Sequence, residues 1–155
     1  MSLATLTEQY AAGPMILRQA VAGMSREQVL ARPVEGKWST LEVICHLSDF
    51  EIVYVDRLTA IIAETDPALP GRDEQKYAAR LAYQQRDLEE ELRLVEACRT
   101  HTARILRTLP EGDLTRRGIH TEAGPLTLAQ MLDRIVGHVQ HHVKFIYDKR
   151  KALGI

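Results

Sequence analysis

The stretch Thr127–Ile155, TLAQMLDRIVGHVQHHVKFIYDKRKALGI, decides how this chain folds. Leu128, Leu132, Ile135, Val139, Val143 and Ile146 recur every three or four residues. That period marks one face of an α-helix. Thr127 is a good N-cap and Gln130 stands three residues on, so the two can satisfy each other's orphan backbone donors. Leu126, before the cap, can pack on Met131 as a hydrophobic staple. Lys149–Lys151 complement the helix C-terminus, and Gly154 lies just beyond it. The stretch predicts a helix from Leu128 to about Ala152.

The same start signal occurs once more upstream. Ser39 is a cap, Glu42 completes its box, and Trp38 can staple to Val43. That helix should run to about Glu64, before TDPALPG. A third helix, in one piece or two, should run from about Asp73 to Leu109, with Leu88, Leu92, Val95, Thr102, Leu106 and Leu109 as its stripe. A first region, about Leu3 to Met24, repeats Leu3, Leu6, Tyr10, Leu17 and Met24 at helical spacing, with Gly13-Pro14 interrupting it. SREQVLARP adds a short helix that stops before Pro33. VEGKW reads as a loop and PEGDLTRRGIHTEAGPL as a long connection. Four long amphipathic helices in a single domain spanning residues 1–155 predict an all-α four-helix bundle, with a short extra helix between the first and second long ones.

Bulk composition narrows the function. The chain is 45% hydrophobic and 26% charged, with a formal net charge of −1. No basic stripe interleaves with aromatics, which argues against a nucleic-acid partner. No apolar run reaches membrane-spanning length and the N-terminus has no signal-peptide pattern. The two cysteines, Cys45 and Cys98, form no disulfide framework and read as small core residues, so a cytoplasmic setting is expected.

Three of the six histidines lie within His138–His142. Helical rotation of about 100° per residue separates them. His138 and His142 are one turn apart on the flank of the apolar face, whereas His141 turns to the polar side with Arg134 and Gly137. Two imidazoles at this spacing can share one metal ion at about 2.0–2.1 Å, and neutral imidazole suits Zn, Ni, Fe or Cu better than Mg or Ca. The pair also fits a polar patch without chemistry. A third ligand is needed, and His46 in STLEVICHLSDFE is the candidate. Periodicity makes it a boundary residue beside the acidic stripe of Glu42, Asp49 and Asp56, so a surface histidine paired with Glu42 or Asp49 fits as well. His101 should be exposed, and His120 lies in a loop.

GKWSTLEVICHLSDFE, followed far downstream by GPLTLAQMLDRIVGHVQHHVKFI, resembles the DinB/YfiT-like family of small bacterial four-helix proteins. The early GP and LARPVEGKW segments extend the resemblance over most of the chain, while about Pro67–Leu109 matches only in general character. The resemblance implies a divalent metal, Ni, Zn or Fe, held by one histidine of the second long helix and two of the last. Carried over, these are His46, His138 and His142. It also implies an enzyme acting on a small molecule, either transferring a low-molecular-weight thiol or hydrolysing with activated water. The alternative is a stress-related binding or assembly module whose metal is structural. Glu42 and Asp49, one turn either side of His46, can orient it, and they fit a solvated acidic face equally well. Tyr77, Tyr83 and Arg104 can line a pocket near the third helix. Leu41 and Ile52, facing away from the main core stripe, predict a homodimer.

Overall fold

A computed structural model describes residues 1–155. The first long helical region is two helices, α1 (Leu3–Ala11) and α2 (Gly13–Val21). Next come the short α3 (Arg26–Leu30), the long α4 (Thr40–Ala63), the short α5 (Glu74–Arg80), then α6 (Leu88–Leu106) and α7 (Leu128–Leu153). The capping boxes at Ser25, Ser39 and Thr127 all form, with each cap oxygen accepting from the backbone of the third helical residue. The expected third helix is indeed divided. Asp73 and Asp87 each cap a new helix start, and Ala82 between them takes a left-handed φ of 51°.

The connection after α6 holds structure that the sequence reading missed. Strand β2 (Arg117–His120) pairs antiparallel with β3 (Gly124–Thr127), and β1 (Ala68–Leu69) joins β2 in parallel. The sheet leads directly into the cap of α7 and ties the loop after α4 to it. Arg116 reinforces this end by donating to the carbonyls of Ile61 and Glu64, which close α4.

The main packing partners of α4 are α6 and α7, and those of α1 and α2 are also α6 and α7. The first and second long helices therefore occupy opposite corners of the bundle, as do the third and fourth. Each diagonal step needs a long crossing, which residues 22–39 and 107–127 provide. The core divides between an end built on Leu58, Leu106, Leu132 and Ile135 and one built on Leu17, Ile44, Val95 and Ile146.

Two polar features sit inside this packing. Arg99 is 1% exposed, donates through Nε and Nη2 to Glu51, and donates through Nη1 to the Tyr10 carbonyl beside the α1–α2 break. Tyr10 donates its hydroxyl to the same Glu51. The second feature is the first half of α4, in which every residue from Ser39 to Glu51 is buried. A helix packed on one face shows a stripe; this one is covered all round, because α3, α5 and the turn at Tyr83–Gln85 close over its polar side. Leu41 is consequently fully buried beside Val29, Cys45 and Tyr83, and of the two side chains that pointed to self-association only Ile52 is exposed.

Candidate metal centre

His46 belongs to that covered half of α4 and is fully buried, not a boundary residue. From α7, His138 and His142 reach toward it. His46 Nε2 lies 3.0 Å from His138 Nε2, and one ring nitrogen from each of the three histidines falls within a 4.8 Å cluster. The structure thus brings together three residues drawn from helices 92 positions apart. His141 is exposed and stacks edge-on against Phe145, and His101 is exposed beside Arg104. His120 sits in β2, accepting from the backbone of the following turn.

The surroundings are aromatic. Trp38, which also packs in the core beside Val43, has its ring 5.3 Å from that of His46, and Phe50 lies 4.6 Å from it. Tyr54 stands 5.6 Å from His138. Such walls disfavour charge. Burial drives the His138 pKa down to about 2, aided by repulsion from His142 and His46. Burial, with repulsion from His46, His141 and Lys149, brings His142 down to about 3, and burial lowers His46. All three are neutral at pH 7 and carry free lone pairs.

Neutral imidazoles in an apolar wall need partners. The Nδ1 atoms of His46 and His142 are buried with none. Three imidazoles offering one nitrogen each within 4.8 Å of one another fit a transition-metal ion. The donor set is uncharged and leaves positions on the ion open, unlike the closed set of a structural zinc site.

Glu42 and Asp49 do other work. Glu42 accepts from Arg32 and from the Ser39 backbone, and Asp49 pairs with Arg86, which also holds Glu91. Neither hydrogen-bonds His46. The carboxylate nearest the cluster is instead Glu74, on α5, whose Oε2 is 3.9 Å from His46 Nε2. Nothing in its local sequence marks it; α5 brings it over the site only after the chain folds. A cavity of about 620 Å³ opens from His138 and His142, bounded by Trp38, Glu74, Phe145 and Lys149 among others. Tyr77, Tyr83 and Arg104 do not line it. Cys45 is buried with its thiol pushed up to about 12 by desolvation, so it is inert; Cys98 is half-buried rather than a core residue.

A small four-helix bundle with three clustered histidines, one buried and two lining an open cavity, is the class of protein these features define. The family model of the DinB superfamily matches residues 9–146, and the chain belongs to that family. It is 29% identical over 140 residues to an Oceanobacillus iheyensis protein named provisionally as a metal-dependent hydrolase, covering 89% of this chain and 81% of the relative. YfiT of Bacillus subtilis, named in the same way, is 26% identical, covering 91% and 80%. The solved structure of YfiT, described as a four-helix bundle of unusual topology, aligns with a TM-score of 0.90 at 24% identity, covering 98% of this chain and 87% of that one. A mycothiol-dependent maleylpyruvate isomerase shares the fold at a TM-score of 0.71 and 12% identity; this chain spans 60% of it. No helix is long and apolar enough to cross a membrane.

Proposed function

We propose that this chain is a metal-dependent enzyme in which His46, His138 and His142 hold a divalent ion, Ni, Zn or Fe, and activate a small nucleophile, a low-molecular-weight thiol first and water second. The observation that carries the reading is the convergence of three neutral imidazoles, two of which, His138 and His142, line the cavity. The relatives named for metal-dependent hydrolysis support the water reading, and the thiol-dependent isomerase with this fold supports the thiol reading. When bound, such an ion lowers the pKa of a water or thiol at its open position.

The chain's own residues supply the rest. Trp38, Phe50 and Tyr54 keep the imidazoles neutral and bulk water away. Glu74 Oε2, at the cavity side of His46, is placed to accept the proton that the nucleophile gives up. A purely structural metal would leave the cavity unused.

Two experiments test this. Elemental analysis of the purified protein should find near-stoichiometric transition metal, lost in His46→Ala and His142→Ala; equal content in all three sinks the site. The metal-loaded protein should consume thiol or hydrolyse an activated ester faster than a His138→Ala/His142→Ala variant, and Glu74→Gln should slow that reaction while keeping the metal. A homodimer in a reducing cytoplasm completes the proposal, and a single monomeric species by sedimentation at micromolar concentration refutes the dimer.

A further inference from the structure

Lys149 is 3% exposed, yet no carboxylate lies within 4.0 Å of its ammonium group. Its one hydrogen bond goes to the Phe145 carbonyl of its own helix, 3.0 Å away, which leaves two N–H donors without a protein partner. Buried ammonium groups are ordinarily paired, because an isolated one is costly to desolvate. This one lines the same cavity as His138 and His142, and Lys37, from the loop before α4, lines it too.

No nearby anion makes a direct ion pair with either lysine. Glu42 is engaged by Arg32, Glu74 stands at the His46 side, and Asp148 is exposed and makes no ion pair with Lys149. Burial lowers the Lys149 pKa, a shift that the more distant Asp148 and Glu42 carboxylates oppose and Lys37 reinforces. Placement on α7 sets a distance. Seven residues separate Lys149 from His142, which puts them about 20° apart on one helix face and about 10 Å apart along the axis. The lysine reaches back toward Phe145, so its ammonium group lies nearer to the histidines than that rise.

We infer that Lys149, assisted by Lys37, binds an oxyanion of the substrate, so that the molecule handled at the histidine site is a small acid carrying a carboxylate or phosphate some four to seven bonds from its reactive atom. The inference rests on the proposed metal site and names the class of compound it takes. A neutral substrate would leave the ammonium group buried and unpaired throughout turnover.

The test uses cobalt(II) loaded into the protein, with thiolate binding followed by the sulfur-to-cobalt absorption band. The ligands are 3-mercaptopropionate, 4-mercaptobutanoate and 6-mercaptohexanoate beside their uncharged amides. In the parent at least one acid should bind about tenfold or more tighter than its amide, the usual scale of a charge-assisted hydrogen bond. Lys149→Met should abolish that preference with cobalt content unchanged, and Lys149→Arg should keep most of it. Equal affinity of acids and amides in the parent, or a preference that survives Lys149→Met, overturns the inference and leaves the metal site standing. Failure of the parent to take up cobalt removes the metal site instead. The inference is then read on the metal-free protein, where inorganic phosphate should raise the melting temperature of the parent and Lys149→Arg but not of Lys149→Met. Equal shifts in all three overturn it.

Discussion

At the scale of single residues, the histidines show what rotation along a helix can and cannot reveal. His138, His141 and His142 sort correctly because α7 packs on one face, so a residue's angle reports its surroundings. His46 lies on a helix enclosed on every side, and there angle reports little: periodicity left it a boundary candidate, and the family resemblance favoured it over a surface histidine. Glu42 and Asp49 failed as its supports because each had an arginine partner, Arg32 and Arg86, that sequence spacing does not disclose. The lowered imidazole pKa values have a thermodynamic consequence. Protons bind the unfolded chain's histidines below about pH 6.5 but bind folded His138 and His142 only near pH 2–3. Their contribution to the stability of the metal-free protein is therefore complete above pH 6.5 and is lost as pH drops from there toward 3. His138 and His142 each contribute a slope of about 1.4 kcal/mol per pH unit in that range. Urea unfolding at pH 5, 6 and 7 should show it, and His138→Leu should reduce the slope by one proton's worth; an unchanged slope refutes it.

Helix starts were legible because capping chemistry is local. Ser39 accepts from the Glu42 amide at 3.1 Å and from the Gln84 side chain at 2.9 Å, and Glu42 returns the bond to the Ser39 amide. Ser39→Ala should cost about 1 kcal/mol, or about 2–4 °C of melting temperature, and Ser39→Thr should recover most of it. The strands were not legible: β1 has two residues, and β2 and β3 have four each, too few to show alternation. The break between α1 and α2 was visible as Gly13-Pro14, but its purpose was not. A Cβ on Gly13 would stand 2.0 Å from Arg99 Nη1, inside a guanidinium group fixed by Glu51 and Tyr10. The gap in the helix is the space that the buried arginine occupies. Gly13→Ala should destabilise by about 3 kcal/mol, as overpacking does, and thermal unfolding would measure it. A change below about 0.5 kcal/mol, the range of a neutral surface substitution, would mean that Arg99 moves aside freely.

Across the whole molecule, hydrophobic periodicity gave four helices but not which of them touch. Diagonal placement of the first and second long helices follows from three-dimensional contacts that no local pattern encodes. The bundle's core does not depend on the histidine cluster, so metal should add stability without being required for folding. Metal at about 100 times its dissociation constant should raise stability by about 2.7 kcal/mol and the melting temperature by about 5–10 °C. Chelation should reverse that shift and leave the far-ultraviolet circular dichroism intact. Collapse of the helical signal on chelation would instead make the metal structural.

The 92-residue separation between His46 and His138 also bears on when the ion can arrive during synthesis. α4 emerges from the ribosome long before α7, and a lone buried-to-be imidazole on α4 has no chelating partner. Two histidines on α7 make only a weak, open pair without it. If the proposed site holds the ion, tight capture must wait until the last long helix has docked, so the ion would be acquired by finished molecules and ignored by nascent or truncated ones. Metal occupancy in a cell extract would then count correctly completed chains, not total chains made.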